Sequence, residues 1–338
     1  MKTWSHTHAR LHTHLRASDF LLPHSCSILI AVSGGQDSLC LARLLIDLQP
    51  KWGWQLALVH CNHGWRDDAA ANAEHVQGLA QQWQLPCFIE TAATPPTSEA
   101  SARRWRYQVF EALARQHGFT HVATGHTATD RAETVLYNLL RGSGLEGLQS
   151  LPWQRLLSPS GANIRANAGA DILVTRPLLN LTRQDTKAFC EAMNLPIWED
   201  STNQDLTYRR NRIRQELMPY LRSHFNPQVE RTLAHTAELL TAEVDYLEAE
   251  TDRLYANLVQ HDGKNWRIDQ TEFRQTPLAL RRRLARRVLL AALPESPQFE
   301  HVEKLVKLAE GPNRSQTDPF PGGVIAKVME GVVVIGDW

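Results

Sequence analysis

Over the first 200 residues, short β-branched runs alternate with stretches whose apolar positions recur at helical spacing. SILIAV at 27–32, QLALVHC at 55–61, PCFIET at 86–91 and HVATGH at 121–126 read as buried strands. The intervening segments 38–48, 69–83, 98–117 and 127–141 read as amphipathic helices. Strands separated by helices need right-handed crossovers, which cover both faces of a parallel sheet. The expected fold is therefore α/β, a doubly wound, Rossmann-like five-stranded parallel sheet. Its fifth strand is expected within ILVTRPLL at 172–179, after a polar, Gly- and Ser-rich stretch around 158–171 that reads as a mobile loop.

The pattern changes at 224–227. From Gln228 onward, Leu233, Leu240, Val244, Leu247, Leu254 and Leu258 fall at spacings of 7, 4, 3, 7 and 4, one stripe of a long helix. GGVIAKVMEGVVVIG at 322–336 reads as two short strands about a turn at Glu330 and Gly331. Two domains are expected, 1–222 and a smaller, mainly helical 223–338 that ends in this β-hairpin.

A chain of 338 residues, 43% hydrophobic and 21% charged, suits two globular domains. Apolar runs such as Val332 to Ile335 are far too short to cross a bilayer, and MKTWSHTHARLHTHLR has no apolar secretory core. A cytoplasmic protein without a membrane partner is expected. Cys26, Cys40, Cys61, Cys87 and Cys190 form no CxxC pair, which argues against a zinc ribbon, a cluster or a disulfide framework. Net charge is formally zero, yet lysine supplies only seven of the 36 basic residues and the arginines are clustered. Arg209, Arg210, Arg212 and Arg214 form one run, and Arg281, Arg282, Arg283, Arg286 and Arg287 another. Screening makes a phosphate sense such a patch rather than the whole-chain sum. Each run reads equally as a nucleic-acid contact or as a solvated helix face.

Candidate chemistry begins at Ser33, Gly34, Gly35, Gln36, Asp37 and Ser38, between the first strand and the first helix of the alternation. Two glycines let backbone amides approach phosphate, and the helix N-terminus adds a favourable dipole. A Walker loop would carry a lysine for the β and γ phosphates, and SGGQDS carries none, so γ-phosphate transfer is not expected. The bland reading is a serine–glycine turn with an acidic helix start. The segment resembles the PP-loop of the N-type ATP pyrophosphatases, which retain pyrophosphate and transfer AMP.

Further motifs narrow the resemblance. HCNHGWRDD at 60–68 is similar to an HxNHxLR element, with Trp65 in place of leucine, and EASARRWRY at 99–107 to ExxARxxRY. GHTATDRAETVLYNLLRGSGLEGL at 125–148 resembles GHxxDDQxETxLxxLxRGxGxxGL. RPLL at 176–179, EDSTNQD at 199–205 and YRRNRIR at 208–214 follow in the same order. Together, from about 28 to 221, they resemble the tRNA(Ile)-lysidine synthetases. Thr129 and Arg131 depart from that pattern, standing where the family has aspartate and glutamine.

The resemblance implies an ATP- and Mg2+-dependent ligase that joins free L-lysine to C2 of the wobble cytidine of CAU-anticodon tRNA(Ile). An adenylated base would be the intermediate, with pyrophosphate and AMP released. It makes 1–222 the catalytic domain and 223–338 a tRNA- or substrate-binding domain. Within it, Ser33, Gly34, Gly35, Gln36, Asp37 and Ser38 would bind ATP, and Asp37 with Asp130 would hold magnesium. Asp37, Asp130, Glu133, His126 and Arg106 are the catalytic candidates, and Arg66, Arg103, Arg210, Asn211 and Arg214 those for tRNA.

Plainer readings stand beside these. Asp130 and Glu133 would merely complement a helix dipole, Arg103 and Arg106 would cover a helix face, and His60 and His63 would be satisfied loop histidines. His6, His8, His12 and His14 look like a metal cluster but have no acidic or cysteinyl companion. A 2-thiocytidine synthetase, which would normally bring paired cysteines, an NAD synthetase and a noncatalytic nucleotide- or RNA-binding module stay open as alternatives. So does the oligomeric state, a homodimer included.

Overall fold

The computed structural model describes residues 4–18, 20–65, 67–157, 171–198, 206, 207 and 209–336. The first unit contains α1 (His6–Ala17), β1 (Ser27–Ala31), α2 (Gln36–Trp52), β2 (Gln55–Asn62), α3 (Ala69–Trp83), β3 (Cys87–Thr91), α4 (Glu99–His117) and β4 (His121–Thr124). It continues with α5 (Ala128–Leu140), α6 (Leu145–Leu148), β5 (Gln154–Leu156), β6 (Leu173–Thr175) and α7 (Arg183–Ala192). After these come α8 (Arg209–Arg212), one π-helical turn (Ile213–Leu217), α9 (Met218–His224) and α10 (Val229–Leu258).

The strands form one sheet in the order β3-β2-β1-β4-β6-β5. The five expected strands are parallel neighbours, and β5 adds a sixth by pairing antiparallel with β6. Three residues, two of them polar, left β5 without a hydrophobic pattern of its own. Strand alternation sorts the core into two layers. Ile28 and Ile30 pack with Leu39, Leu45 and Val76 of α2 and α3, whereas Leu29 and Val122 pack with Phe110 and Leu113 of α4. Because the chain runs outward from β1 through β2 to β3 and returns to β4 on the other side of β1, the strand order reverses between β1 and β4. Such a reversal opens a crevice beyond the carboxyl ends of the strands.

His8, His12 and His14 of the N-terminal cluster are engaged in packing and pairing contacts, whereas His6 is exposed. His8 is 2% exposed and pairs with Asp47 at 3.2 Å, Trp52 Nε1 donates to His12 Nδ1 at 3.2 Å, and the His14 ring lies 4.1 Å from that of Trp153. Among the described residues no group of three His, Cys, Asp or Glu side chains is placed to hold a metal ion. Of the expected mobile loop at 158–171, residues 158–170 lie outside the described residues.

The chain divides into compact units at Met1–Leu240 and Thr241–Trp338, whereas the sequence pattern placed the break between 222 and 223. The difference arises because α9 and the first turns of α10 belong to the first unit. Met218, Leu233 and Val229 join Ile213 and Ala132 of α5 in one apolar cluster. The leucine stripe is a genuine inward face, with Val244 2% exposed and Leu233, Leu240, Leu247, Leu254 and Leu258 half-buried.

The second unit adds β7 (Val259–His261), β8 (Trp266–Asp269), α11 (Gln270–Gln275), α12 (Leu278–Ala292), α13 (Phe299–Ala309), β9 (Ile325–Met329) and β10 (Val332–Gly336). The expected hairpin β9–β10 turns at Glu330 and Gly331, both at positive φ. It is half of a four-stranded antiparallel sheet, order β7-β8-β10-β9, that covers Leu284, Val288 and Leu305. The second arginine run is not a free cationic patch. Arg282 pairs with Glu303 at 2.6 Å, Arg287 with Glu248 at 2.5 Å, Arg281 with Glu310 and Arg283 with Glu248. No helix is long and apolar enough, among the described residues, to cross a membrane.

Candidate active site

The glycine loop leaves β1 at the strand-order reversal. Gly34 sits at φ +89°, and a Cβ there would lie 2.5 Å from Asn72 Oδ1 and 3.1 Å from Trp198 Cβ. Asn72 Nδ2 donates to Ser33 O at 3.1 Å and Trp198 N donates to Gly34 O at 3.0 Å, so the turn is held from outside. Ser38 Oγ accepts from Ser33 N at 3.1 Å and donates to Gly35 O at 2.8 Å, closing it from inside. Gly35 is the N-cap of α2 and supplies no side-chain acceptor to the helix's first amides. An uncapped helix start beside two glycines is suited to an anion. From β4, Gly125 packs so closely that a Cβ would meet Asp37 C and O at 2.9 Å.

Asp37, in the first turn of α2, is held by α7. Thr186 Oγ1 donates to Asp37 Oδ1 at 2.5 Å, and Arg183 Nε lies 3.3 Å from Oδ2. Burial raises the Asp37 pKa above the ordinary carboxylate value, with Arg183 opposing the shift and Asp130 adding to it.

Asp130 and Glu133 share one face of the first turns of α5. Thr127 caps this helix, and Asp130 Oδ2 accepts from Thr127 N at 2.9 Å and Oγ1 at 2.8 Å. The other Asp130 oxygen meets Arg210 at 3.2 Å and Arg214 at 3.3 Å. Glu133, 0% exposed, is gripped by Arg214 Nε at 2.7 Å and Nη2 at 2.9 Å, with Arg210 Nε at 3.3 Å. Burial alone would raise the Asp130 pKa, but Arg210, then His126 and Arg214, hold it below the ordinary value. The expected acid pair thus forms, and two arginines expected to meet RNA occupy it. Arg214 lies in the π-helical turn, a register irregularity that recurs at functional sites.

His126 follows β4, its Nδ1 2.9 Å from Thr124 Oγ1. Burial drives its pKa well down, partly opposed by Asp130, so the ring is neutral near pH 7. On α4, Arg103 stacks on Tyr107 at 5.1 Å, and Arg106 buries an Nε that has no protein partner. His60 is a satisfied histidine, 3% exposed with Nδ1 2.9 Å from Val32 O. His63 is pushed down to about 4 by burial, assisted by Arg106 and His60.

For His63 the folded pKa lies below the unfolded value of 6.5, so the unfolded chain binds the extra proton as pH falls from 6.5 toward 4. Stability should drop across that window, and His63→Asn should flatten the slope of melting temperature against pH. An unchanged slope in the variant would contradict the buried neutral ring.

A cleft of about 840 Å³ joins these parts. Its lining includes Ser33, Gly35, Gln36, Asp37 and Ser38 of the loop, His126 and Asp130, Arg103 and Arg106, and Arg210, Asn211 and Arg214. Gly34 and Glu133 stand behind that lining. Arg66 lies outside the described residues, as do the motif positions 199–205 and Tyr208. The sequence reading missed Asn72, Trp198 and the α7 residues Arg183, Thr186 and Lys187. For α7 a signal existed, since Thr182 and Asp185 form a capping box that marks the helix start.

The two departures from the family motif receive a structural account. Thr129 Oγ1 donates to Glu230 Oε2 of α10 at 2.9 Å and accepts from Arg183 N at 3.0 Å. Arg131, 2% exposed, donates to Glu238 Oε2 at 2.5 Å, and Trp153 Nε1 reaches the same oxygen at 2.8 Å. Both side chains tie α5 to α10 rather than face the cleft. Thr129→Val should therefore cost about 1–2 kcal/mol of stability by stranding two buried polar partners, while Thr129→Ser keeps most of it. Equal denaturation midpoints for the two variants would refute this.

The comparisons with known proteins agree with this geometry. A family model described as a PP-loop domain matches residues 6–221. The chain is 50% identical to a tRNA(Ile)-lysidine synthase of Nostoc sp. over 98% of its length and 97% of that protein's. It is 36% identical to a chloroplastic tRNA(Ile)-lysidine synthase of Zygnema circumcarinatum, over 82% of this chain and 74% of the other. A U34-tRNA thiolase from Methanococcus maripaludis, solved with its 4Fe–4S cluster, shares the fold with a TM-score of 0.56 at 15% identity, covering 70% of this chain and 78% of that one.

A lysine-free glycine loop at the reversal of a parallel sheet, facing buried carboxylates, defines a PP-loop ATP-utilising protein. Identity of 43–50% to curated relatives across nearly the whole chain narrows the class further. The chain belongs to the tRNA(Ile)-lysidine synthase family.

Proposed function

We infer that the protein is a carbon–nitrogen ligase that joins free L-lysine to C2 of the wobble cytidine in CAU-anticodon tRNA(Ile), cleaving ATP to AMP and pyrophosphate. One observation carries this reading. The uncapped helix start at Gly35, the Asp37 and Asp130 carboxylates and the arginines Arg106, Arg210 and Arg214 all line one cleft.

In the first step the wobble O2 attacks the α phosphorus and pyrophosphate leaves. Adenylation is needed because a cytosine oxygen is a poor leaving group. The loop amides with Ser33 and Ser38 hold the departing pyrophosphate where charge accumulates. Magnesium usually takes one or two carboxylates and completes its shell with phosphate oxygens, a donor set that Asp37 and Asp130 fit. When bound, it would neutralise phosphate charge. His126, kept neutral, would stand beside the adenylate or the base without adding a cation.

In the second step the ε-amine of lysine attacks C2 and AMP leaves with the former O2. Asp130 at the cleft wall, with Glu133 buried behind it and opened once Arg210 and Arg214 turn away, would receive that amine, a role that their present pairing with two guanidiniums supports. Glu133 would orient the amine and take its proton. Arg210 and Arg214 then turn to RNA phosphate or base, together with Arg66, Arg103, Arg106 and Asn211.

Incubation with ATP, labelled lysine and a CAU-anticodon tRNA(Ile) transcript should label that RNA and leave initiator methionine tRNA unlabelled. Nucleotide binding with neither labelling nor pyrophosphate release would make the chain a noncatalytic module and overturn the reading.

A further inference from the structure

The phosphates of ATP need more positive charge than the glycine loop supplies. The loop carries no lysine, and amides alone leave several negative charges to be met. Arg210 and Arg214 are engaged by Asp130 and Glu133, and Asp37 is itself an anion. Arg103 and Arg106 of α4 border the same cleft, as do two further cations, Arg183 and Lys187. Arg183 and Lys187 lie four apart on α7, and therefore on one helical face.

Their anchoring separates backbone from side chain. Gln36 Nε2 donates to Arg183 O at 2.8 Å and to Thr186 Oγ1 at 3.0 Å, and Arg183 N donates to Thr129 Oγ1 at 3.0 Å. These bonds lock the first turn of α7 onto the loop helix and α5 without using the guanidinium. Among the described residues that group pairs with one carboxylate, 3.3 Å from Asp37 Oδ2, and it is 29% exposed. Lys187 is 65% exposed and, among the described residues, pairs only loosely, with Glu191 at 3.9 Å. Both heads are thus free to move onto an anion with no disturbance of the fold.

We propose that Arg183 and Lys187 bind the β and γ phosphates of ATP and retain pyrophosphate after adenylation. They supply from α7 the charge that a Walker loop places on its own lysine. The proposal rests on the adenylation reading given above.

The test is calorimetric titration of the full chain, with magnesium present, by ATP, pyrophosphate and AMP. The wild type should bind ATP more tightly than AMP. Arg183→Gln should weaken ATP and pyrophosphate about tenfold, the worth of one charge-assisted hydrogen bond. Lys187→Gln, at an exposed site, should weaken them about threefold. AMP affinity should stay within about twofold in both, and Arg183→Lys should recover most of the loss. If the wild type prefers ATP and both variants keep that preference, or lose AMP affinity by the same factor, the proposal is overturned. A wild-type chain that binds AMP as tightly as ATP overturns the adenylation reading, and this proposal with it.

Discussion

Asp37→Asn is expected to slow tRNA-dependent pyrophosphate release about 10²–10³-fold, the usual cost of deleting one preorganised electrostatic group. Folding should hardly respond. Burial already disfavours the Asp37 charge, and an asparagine oxygen can still accept from Thr186. Arg183 loses an ion pair but remains part-exposed, so its charge is not stranded. The expected signature is therefore lost turnover at an unchanged melting temperature. Full pyrophosphate release by the variant would remove Asp37 from the chemistry.

The glycines of the site should divide into two groups by a single added methyl. At Gly34 the methyl meets Asn72 Oδ1 at 2.5 Å on a backbone at φ +89°. At Gly125 it meets main-chain atoms of Asp37 at 2.9 Å, which cannot yield as a side-chain tip can. Overpacking combined with backbone strain predicts a loss of about 3 kcal/mol for Gly34→Ala, and Gly125→Ala should cost about 1–3 kcal/mol from overpacking alone. Gly35 differs, since its methyl would meet only Ser33 Oγ at an ordinary 3.6 Å. Gly35→Ala should cost no more than about 1 kcal/mol, the N-cap preference, yet it places a methyl where phosphate must approach the amides. Thermal unfolding joined to ATP titration checks the division. It fails if Gly35→Ala binds ATP normally, or if Gly34→Ala melts with the wild type.

Much of the first unit was readable because β1, β2 and β4 are largely buried on both faces, β3 is half-buried, and the helices are amphipathic. The runs at 27–32, 55–61, 86–91 and 121–126 became β1 to β4 within two residues at either end. The Schellman-like stops at Gly53 and Gly118, both in the left-handed region, likewise follow from local backbone chemistry. Where local signal was weak, the reading failed. β5, β7 and β8 are short and acquire strand geometry only by pairing with a neighbour. The unit boundary also escaped, because nothing local distinguishes the first turns of α10 from the rest of one continuous helix.

The candidate site shows the same division. Sequence by itself marked out the residues proposed for the chemistry, since a lysine-free glycine loop and an Asp-x-x-Glu face declare themselves at short spacing. It also determined the family, through the order of its motifs. Only the tertiary structure decided who meets whom. Asp37 finds Arg183 and Thr186 about 150 positions away in the chain, Glu133 finds Arg214, and Thr129 and Arg131 turn from the cleft to the glutamates of α10. Helix and strand periodicity act over a few residues, whereas charge pairing in a crevice depends on which distant helices the sheet order brings together.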